Sequence, residues 1–456
     1  MRLLIFFMLS PFFLFSQTQI GNDINGELTL DNSGHSVSTS SNGSIVAIGS
    51  PSYDGVGKGL VRVFENNGDA WIQIGEDIGG EFDEDHFGSS VSLSGDGSIV
   101  AIGGPDSEIA GIARVYENIG NVWTQIGSAI NGDVAGDNFG RGVNLSDNGT
   151  ILSIIGRNYT RIYENISGVW SQIGSDISLG GSSSYGIGGE LAILSGDGSV
   201  VAISEWFYDS WLGYYTSQIV YENISGTWTQ IGSPFFGFVS AISLSHDGSI
   251  MATNSSLSSD GVVVYENVGN VWTQIGNPIE VADYYSISLS LSSNGDIIAI
   301  EGDFSAGNEN VSIYRNINND WTQLGTTING GNDGDNFGTS LELSSDASTL
   351  VVGAPNNDSN GIDSGHARVY DLTAVLSTND YTLSQFRMYP NPAKNQVTIQ
   401  LNTTSILKQI TVYNMLGQEV LISEEKIVNT SKLASGSYIV EVNTNNGKAS
   451  KKLIIE

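Results

Sequence analysis

No cysteine occurs anywhere in the 456 residues. Disulfides, thiolate metal sites, thiol nucleophiles and a lipidated amino-terminal cysteine are excluded together, so stability must come from packing and hydrogen bonds. Basic residues are scarce, with 17 Lys and Arg against 49 Asp and Glu. A field that acidic repels nucleic acid and anionic membrane, and neither is expected as a partner. Its simplest role is a solubilising surface. Histidine is rare too, and His35, His86, His246 and His366 show no metal-ligand spacing such as His-x-x-x-His. There is no Gly-x-Ser-x-Gly elbow and no phosphate-cradling glycine loop, so no catalytic residue is assigned and an enzyme is not expected. Past residue 16 no stretch approaches the roughly 18 apolar residues of a spanning helix, so no transmembrane segment is expected.

What is present divides the chain. Residues 1–16 carry one early charge, Arg2, and then the run LLIFFMLSPFFLF, too short to span a bilayer and shaped like a secretory signal peptide cleaved near Ser16. Residues 1–380 hold 9 Lys or Arg against 44 Asp or Glu, whereas 381–456 hold 8 against 5, which implies two different domains. With 57 glycines and 39% hydrophobic residues, the composition suits a turn-rich all-β protein.

Internal repetition dominates. Trp71, Trp123, Trp170, Trp228, Trp272 and Trp321 lead copies of a phrase such as WTQIG, spaced by 52, 47, 58, 44 and 49 residues, a period in the range of propeller blades. Each unit reads as four short strands. SVSLS and SIVAIG flank an Asp-Gly or Asn-Gly pair that supplies a tight hairpin turn, and RVYEN is joined to the tryptophan-led strand by a short link such as IGNV. Strands of the SVSLS type begin near Ser36, Ser90, Gly142, Glu190, Ala241, Ser288 and Ser340, yet only six are followed by a tryptophan-led fourth strand. The unmatched QTQIGNDI at Gln17–Ile24 supplies the seventh, with Gln17 where a tryptophan would stand. The expected fold is therefore all-β, a seven-bladed β-propeller closed by its amino-terminal strand, since an open array would leave two unpaired edges. The Asp-Gly hairpins speak against a β-solenoid.

The units DHFGSSVSLSGDGSIVAIGGP (85–105) and DNFGTSLELSSDASTLVVGAP (335–355) resemble FG-GAP repeats, through Phe87-Gly88 and Gly353-Ala354-Pro355, and the likeness runs over residues 17–373. The resemblance implies a seven-bladed propeller like that of integrin α-chains, used outside the cell for adhesion and ligand binding. After a polar linker at 374–386, residues 387–456 have the alternation of a small antiparallel β-sandwich. They resemble the carboxyl-terminal sorting domain of the type IX secretion system, through Tyr389-Pro390-Asn391-Pro392, Gly417, Gly436, Tyr438 and the basic Lys451-Lys452. That resemblance implies the type IX machinery as a partner, and a protein secreted or held on the outer surface of a Gram-negative cell.

Two sets of residues are candidate sites. Integrin-type calcium loops carry several aspartates between the first two strands, but here that turn has one acid or none. The richer clusters precede Phe-Gly: Asp83 and Asp85, and Asp333 and Asp335, with Asp31, Asp137 and Asp283 at the same place in other units. Calcium is the metal these would take; otherwise no cofactor is expected. The competing role, which is favoured, is an aspartate accepting backbone amides in a repeated loop. The second set lies where units four and five depart from the pattern. SEWFYDSWLGYY (204–215) and SPFFGFVS (233–240) stand in place of short polar loops on one face, so Trp206, Phe207, Tyr208, Trp211, Tyr214, Tyr215, Phe235, Phe236 and Phe238 would gather beside the channel mouth. Such a cluster suits a glycan or a protein ligand. The resulting expectation is a non-catalytic binding or adhesion module. A carbohydrate-active enzyme is the alternative, to be favoured by paired buried carboxylates at the channel mouth, and a structural surface protein is another.

Overall fold

The computed structural model describes residues 17–51, 57–68, 70–82, 85–105, 110–178, 191–209, 213–237, 241–255, 261–281, 287–302, 309–376, 386–401, 407–414, 418–444 and 447–455. It divides into two compact units, 1–373 and 374–456.

In the first unit, seven antiparallel sheets, or blades, each contain four strands in spatial sequence. Blade 1 consists of Ser36–Thr39, Ile45–Ser50, Leu60–Asn66 and Trp71–Gln73, and the same arrangement recurs through blade 6, which ends at Trp321–Asn329. Blade 7 has Leu341–Leu343, Thr349–Ala354 and His366–Asp371, and its outer strand is Thr18–Gln19, paired antiparallel with Asp371 and Tyr370. The turns behave as their residues dictate. Asn42, Asp96, Asn148, Asp197, Asp247 and Asn294 each use one side-chain oxygen to accept the hydroxyl of the serine two residues before and the amide two residues after. Asn and Asp are interchangeable because only the acceptor oxygen is used.

Three sets of hydrogen bonds join the blades. At one end of the channel a residue two or three positions past each inner strand donates its amide to the next blade. Ser41 bonds Gly95, Gly95 bonds Asp147, Asp147 bonds Gly196, Asp197 bonds His246, His246 bonds Ser293, Ser293 bonds Ser345, and Ser345 returns to Ser41, all at 2.7–3.0 Å. Within the channel, Ser38, Ser92, Asn144, Ser243 and Ser290 accept the inner-strand amides of Leu93, Leu145, Leu194, Leu291 and Leu343 in the following blades. At the junction of blades 7 and 1 this role falls to Glu342, which accepts the Thr39 amide at 3.0 Å. On the outside, each tryptophan donates its indole N–H to the carbonyl of Ile20, Ile74, Ile126, Ile173, Ile231 or Ile275 in the preceding blade. Gln17 makes the same bond in blade 7, its Nε2 donating to Leu324 of blade 6 at 3.3 Å.

The second unit is a sandwich of a three-stranded sheet (Phe386–Tyr389, Gln396–Leu401, Ile427–Asn429) and a four-stranded sheet (Glu419–Ser423, Leu407–Asn414, Gly436–Thr444, Gly447–Ile455). Val397, Ile399, Ile410, Val412, Val440 and Leu453 fill its core.

Candidate functional site

The face that carries the Phe-Gly loops is built unevenly. In blades 2, 3 and 7, Phe87, Phe139 and Phe337 are fully buried, each beneath a guanidinium from its own third strand: Arg114, Arg161 and Arg368, at 5.7, 6.0 and 5.9 Å from the ring centre. Those arginines, with Arg62 of blade 1, pair with acids: Arg62 with Glu27, Arg114 with Glu81, Arg161 with Asp133 and Asp176, and Arg368 with Asp23. At the same strand position blades 4, 5 and 6 carry Ile219, Val263 and Ser312. Between Arg161 and Arg315 there is no lysine or arginine at all, while Asp and Glu occur 16 times. This asymmetry is written in the sequence, but it surfaces only when charges are counted blade by blade.

The aromatic segment of blade 4, expected as a loop, is instead a β-hairpin. Strands Val200–Asp209 and Gly213–Ile224 pair without a break from Val200↔Glu222 to Asp209↔Gly213. The inner strand ends opposite Ser204, where Leu191 pairs, so the ladder runs five residue pairs beyond it where other blades run one, and the extra four pairs project about 13 Å at 3.3 Å per residue. Register sets Trp206 opposite Thr216, Phe207 opposite Tyr215 and Tyr208 opposite Tyr214, while Trp211 lies outside the described residues. The alternation of apolar and β-prone residues accounts for the strand, since an aromatic run with no proline continues a ladder more readily than it breaks one.

The second aromatic segment also contains a strand, Phe235–Gly237, paired with Thr216–Gln218. It corresponds to short strands that other blades form at Ile78–Gly79, Ile130–Asn131 and Ile177–Ser178. Phe235 falls in the position of those isoleucines. Its ring packs 4.6 Å from Tyr265 and edge-on to Trp272 at 6.2 Å, between blades 4 and 5, so it is a packing residue. Phe236 lies opposite Ser217. Phe238 is outside the described residues; in the repeat it aligns with the buried Phe87.

The loop aspartates are engaged by backbone. Asp85 accepts the amides of Glu81 and Phe82, both at 3.0 Å, and Asp31 and Asp137 do the same in blades 1 and 3. Asp335 is buried and accepts the Asn357 side-chain amide at 2.6 Å. Asp333 is exposed, and Asp83 and Asp283 lie outside the described residues. Among the described residues no group of three or more His, Asp or Glu is placed to hold a metal ion.

Two buried carboxyls stand in blade 6. Glu309 spends both oxygens on the amides of Gly334 and Phe337, at 3.1 and 2.6 Å. Glu301 accepts the Ser288 amide at 2.9 Å through Oε2, its Oε1 has no partner among the described residues, and burial pushes it up to about 8. A carboxyl in that state is a neutral acid at physiological pH. The channel is a cavity of about 300 Å³ whose titratable lining consists of Glu342, Asp147 and His246. The last two pair at 2.7 Å across Gly196, where any Cβ would collide with them.

In the second unit the sorting-motif residues tie the last strand down. Asn391 accepts the Ile454 amide at 2.9 Å and donates to the Lys452 carbonyl at 2.8 Å. Lys451 donates to the Phe386 carbonyl and lies over its ring, and Tyr438 is buried with its hydroxyl on Ala434. Tyr389 and Pro390 are exposed. Pro392 and Lys452 are also exposed, Gly436 opens the strand Gly436–Thr444, and Gly417 is outside the described residues.

Fold and site together define an all-β protein, a β-propeller followed by a β-sandwich. Residues 387–456 match the secretion system C-terminal sorting domain family, and residues 323–370 match the FG-GAP repeat family. The sorting domain implies export by the type IX secretion system, to the cell surface or beyond it. Solved structures share the propeller fold. The β-propeller domain of Myceliophteria thermophila Cps50 (Swd1) is 10% identical with a TM-score of 0.52, covering 77% of this chain and 99% of that one. Kuenenia stuttgartiensis hydrazine synthase is 12% identical with a TM-score of 0.51, covering 78% and 98%. A chain of the mitotic checkpoint complex is 16% identical with a TM-score of 0.51, covering 80% and 98%. At such identities the likeness is one of fold alone. Comparison with curated proteins gives no match. No helix among the described residues is long and apolar enough to cross a membrane.

Proposed function

We propose that the protein is a non-catalytic binding or adhesion module, displayed on the cell surface or released, whose ligand seat is the projecting hairpin of blade 4. The observation that carries this reading is the ladder from Trp206↔Thr216 to Asp209↔Gly213, which extends beyond the point where other blades' ladders stop and places Trp206, Phe207, Tyr208, Tyr214 and Tyr215 in one ribbon. Aromatic side chains bury area at low entropic cost and stack on sugar or apolar surfaces. The ligand is an extracellular glycan or protein. A glycan and matrix-protein array probed with the mature protein, beside its Trp206→Ala/Trp211→Ala variant, tests it. Binding lost in the variant with melting unchanged supports the seat, and a large fall in melting temperature would make these residues part of the packing.

Glu301 favours a second reading, that of a carbohydrate-active enzyme, because a neutral buried carboxyl is what a general acid requires. Against it, the neighbouring Glu309 is committed to two loop amides and is not available as a base or nucleophile. Release of reducing sugar from polysaccharides, abolished in Glu301→Gln, would establish the enzyme.

A further inference from the structure

We infer that the outer rim of blades 2–5 is a docking surface for a basic polypeptide in which cationic and apolar side chains alternate. The rim is formed by the hairpins that join each third strand to its outer strand. In blade 2 this hairpin turns through Gly120 and Asn121, both at positive φ (61° and 66°), as a tight two-residue turn requires. Its last cross-strand pair is Ile119 and Val122, which exchange backbone hydrogen bonds at 2.9 and 3.3 Å and are 58% and 61% exposed. The corresponding pairs in blades 3, 4 and 5 are Ile166/Val169, Ile224/Thr227 and Val268/Val271, and every Ile and Val among them is more than half exposed.

The turn does not require these residues. Blade 6 turns in the same way at Asn318 and Asn319, both at positive φ, yet sets a half-buried Ile317 against an exposed Asp320. Blade 1 has Asn67 bonded to Ala70 at this place, and blade 7 takes its outer strand from the amino terminus. Apolar tips therefore run through four consecutive blades and stop on both sides, an arc rather than a scatter of single exposed side chains.

Register supplies the rest of the chemistry. Alternate residues of a strand share a face, so the pair behind Ile119 and Val122 on the same face is Glu117 and Thr124, both exposed. Glu164/Ser171, Glu222/Thr229 and Glu266/Thr273 take that place in the next three blades. Trp123 lies on the opposite face and donates to Ile74 of the preceding blade, so the tip is pinned one residue from the exposed pair. Each hairpin thus offers an apolar pair with a carboxylate and a hydroxyl behind it, and none of the four segments from that glutamate to that hydroxyl contains Lys or Arg. In blade 6, where the tip is acidic, the residue behind it is Arg315 instead.

A lysine or arginine side chain answers both halves of such a seat, its methylene stem lying along the β-branched pair and its charge reaching the carboxylate. A second copy of this chain does not, because its rim would set glutamate against glutamate. Four like seats side by side favour a partner that repeats the same feature, since each seat engaged raises the effective concentration at the next.

The test titrates three dodecapeptides calorimetrically into the mature full-length protein: alternating lysine and leucine, alternating lysine and serine, and alternating glutamate and leucine. The lysine–leucine peptide should bind at least about tenfold more tightly than the lysine–serine peptide, and the glutamate–leucine peptide should not bind. Giving blades 2, 3 and 5 the pair found in blade 1, through Ile119→Asn/Val122→Ala, Ile166→Asn/Val169→Ala and Val268→Asn/Val271→Ala, leaves the charge unchanged and should weaken binding about tenfold. Glu117→Gln/Glu164→Gln/Glu266→Gln touches no apolar residue and should weaken it by a similar factor at low salt and by less at high salt. Should the first variant melt well below the parent, the salt-dependent loss in the second still decides. Equal binding of the lysine–serine peptide, or binding undiminished in either folded variant, is a general attraction of polycation to acidic protein and overturns the inference. Binding of none of the peptides, tighter binding of the glutamate–leucine peptide, or self-association in sedimentation that the blade 1 pairs abolish, overturns it as well.

Discussion

Glu342 is a place where a single atom exchange separates hydrogen bonding from charge. Five of the other six blades use a serine or asparagine oxygen to accept the next blade's amide, and a carboxyl does so only where blade 7 meets blade 1. Burial pushes this carboxyl up to about 7 from an ordinary 4.5, against the opposing pull of the Ser38 hydroxyl and the Thr39 amide. Because the folded value is the higher one, the fold prefers the protonated acid. Stability on this account is full below about pH 4.5, declines between 4.5 and 7, and is level above. The decline is about 3 kcal/mol for a wholly dry site and about 1 if water in the channel screens it. Glu342→Gln keeps the oxygen that accepts the Thr39 amide and removes the charge. It should melt with the parent protein at pH 4 and roughly 2–6 °C above it at pH 8. Glu301 is raised in the same sense but is present in both proteins, so it cancels in the difference. Thermal melts of the pair at pH 4, 5.5 and 8 decide the matter. A variant that melts below the parent at pH 8, or a gap that does not change with pH, would show that the carboxylate itself holds the junction.

Gln17→Trp should raise the melting temperature, because it restores the larger side chain that six blades place on the preceding blade while retaining an N–H for the Leu324 carbonyl. Deleting residues 17–24 should lower it far more than an eight-residue deletion elsewhere at the surface, since it exposes the edge of His366–Asp371. Phe235→Ala should cost about 1–3 kcal/mol in denaturant unfolding, the cost of removing a partly buried aromatic from between two blades, whereas Trp206→Ala should leave the midpoint nearly unchanged. Asp85→Ala should cost about 1–2 kcal/mol through two orphaned amides, and adding calcium should not shift the melting of the parent.

The repeat was legible because its turns are chemically specified. A serine and an Asx recur wherever a first strand turns into a second, followed by a glycine in six blades and by Ala347 in blade 7, and the side-chain acceptor fills the same role in each copy. The placement of QTQIGNDI followed from counting strands, and Gln17 answers to the tryptophans because it reaches the same carbonyl. Other features were hidden for identifiable reasons. A polar residue in the middle of an inner strand looks like ordinary alternation, so the channel acceptors and the odd carboxyl among them show only when neighbouring blades are set side by side. The short strand after WTQIG holds two residues in most blades, below the length at which periodicity can be read.

The aromatic departures teach a finer distinction. A residue that breaks a repeat either compensates for a neighbour that is also changed or serves something outside the fold, and composition does not separate the two. Register does. Phe235 sits on a position that every blade fills with an apolar side chain, so its size is absorbed by Tyr265 and Trp272 and it belongs to the fold. Residues 206–209 and 213–216 pair beyond Glu205↔Ser217, the point that corresponds to Ser50↔Leu60, Gly104↔Ile112 and Ser255↔Gly261, where the ladders of other blades stop. Register gives them no counterpart in the other blades, and a function has to be sought there first.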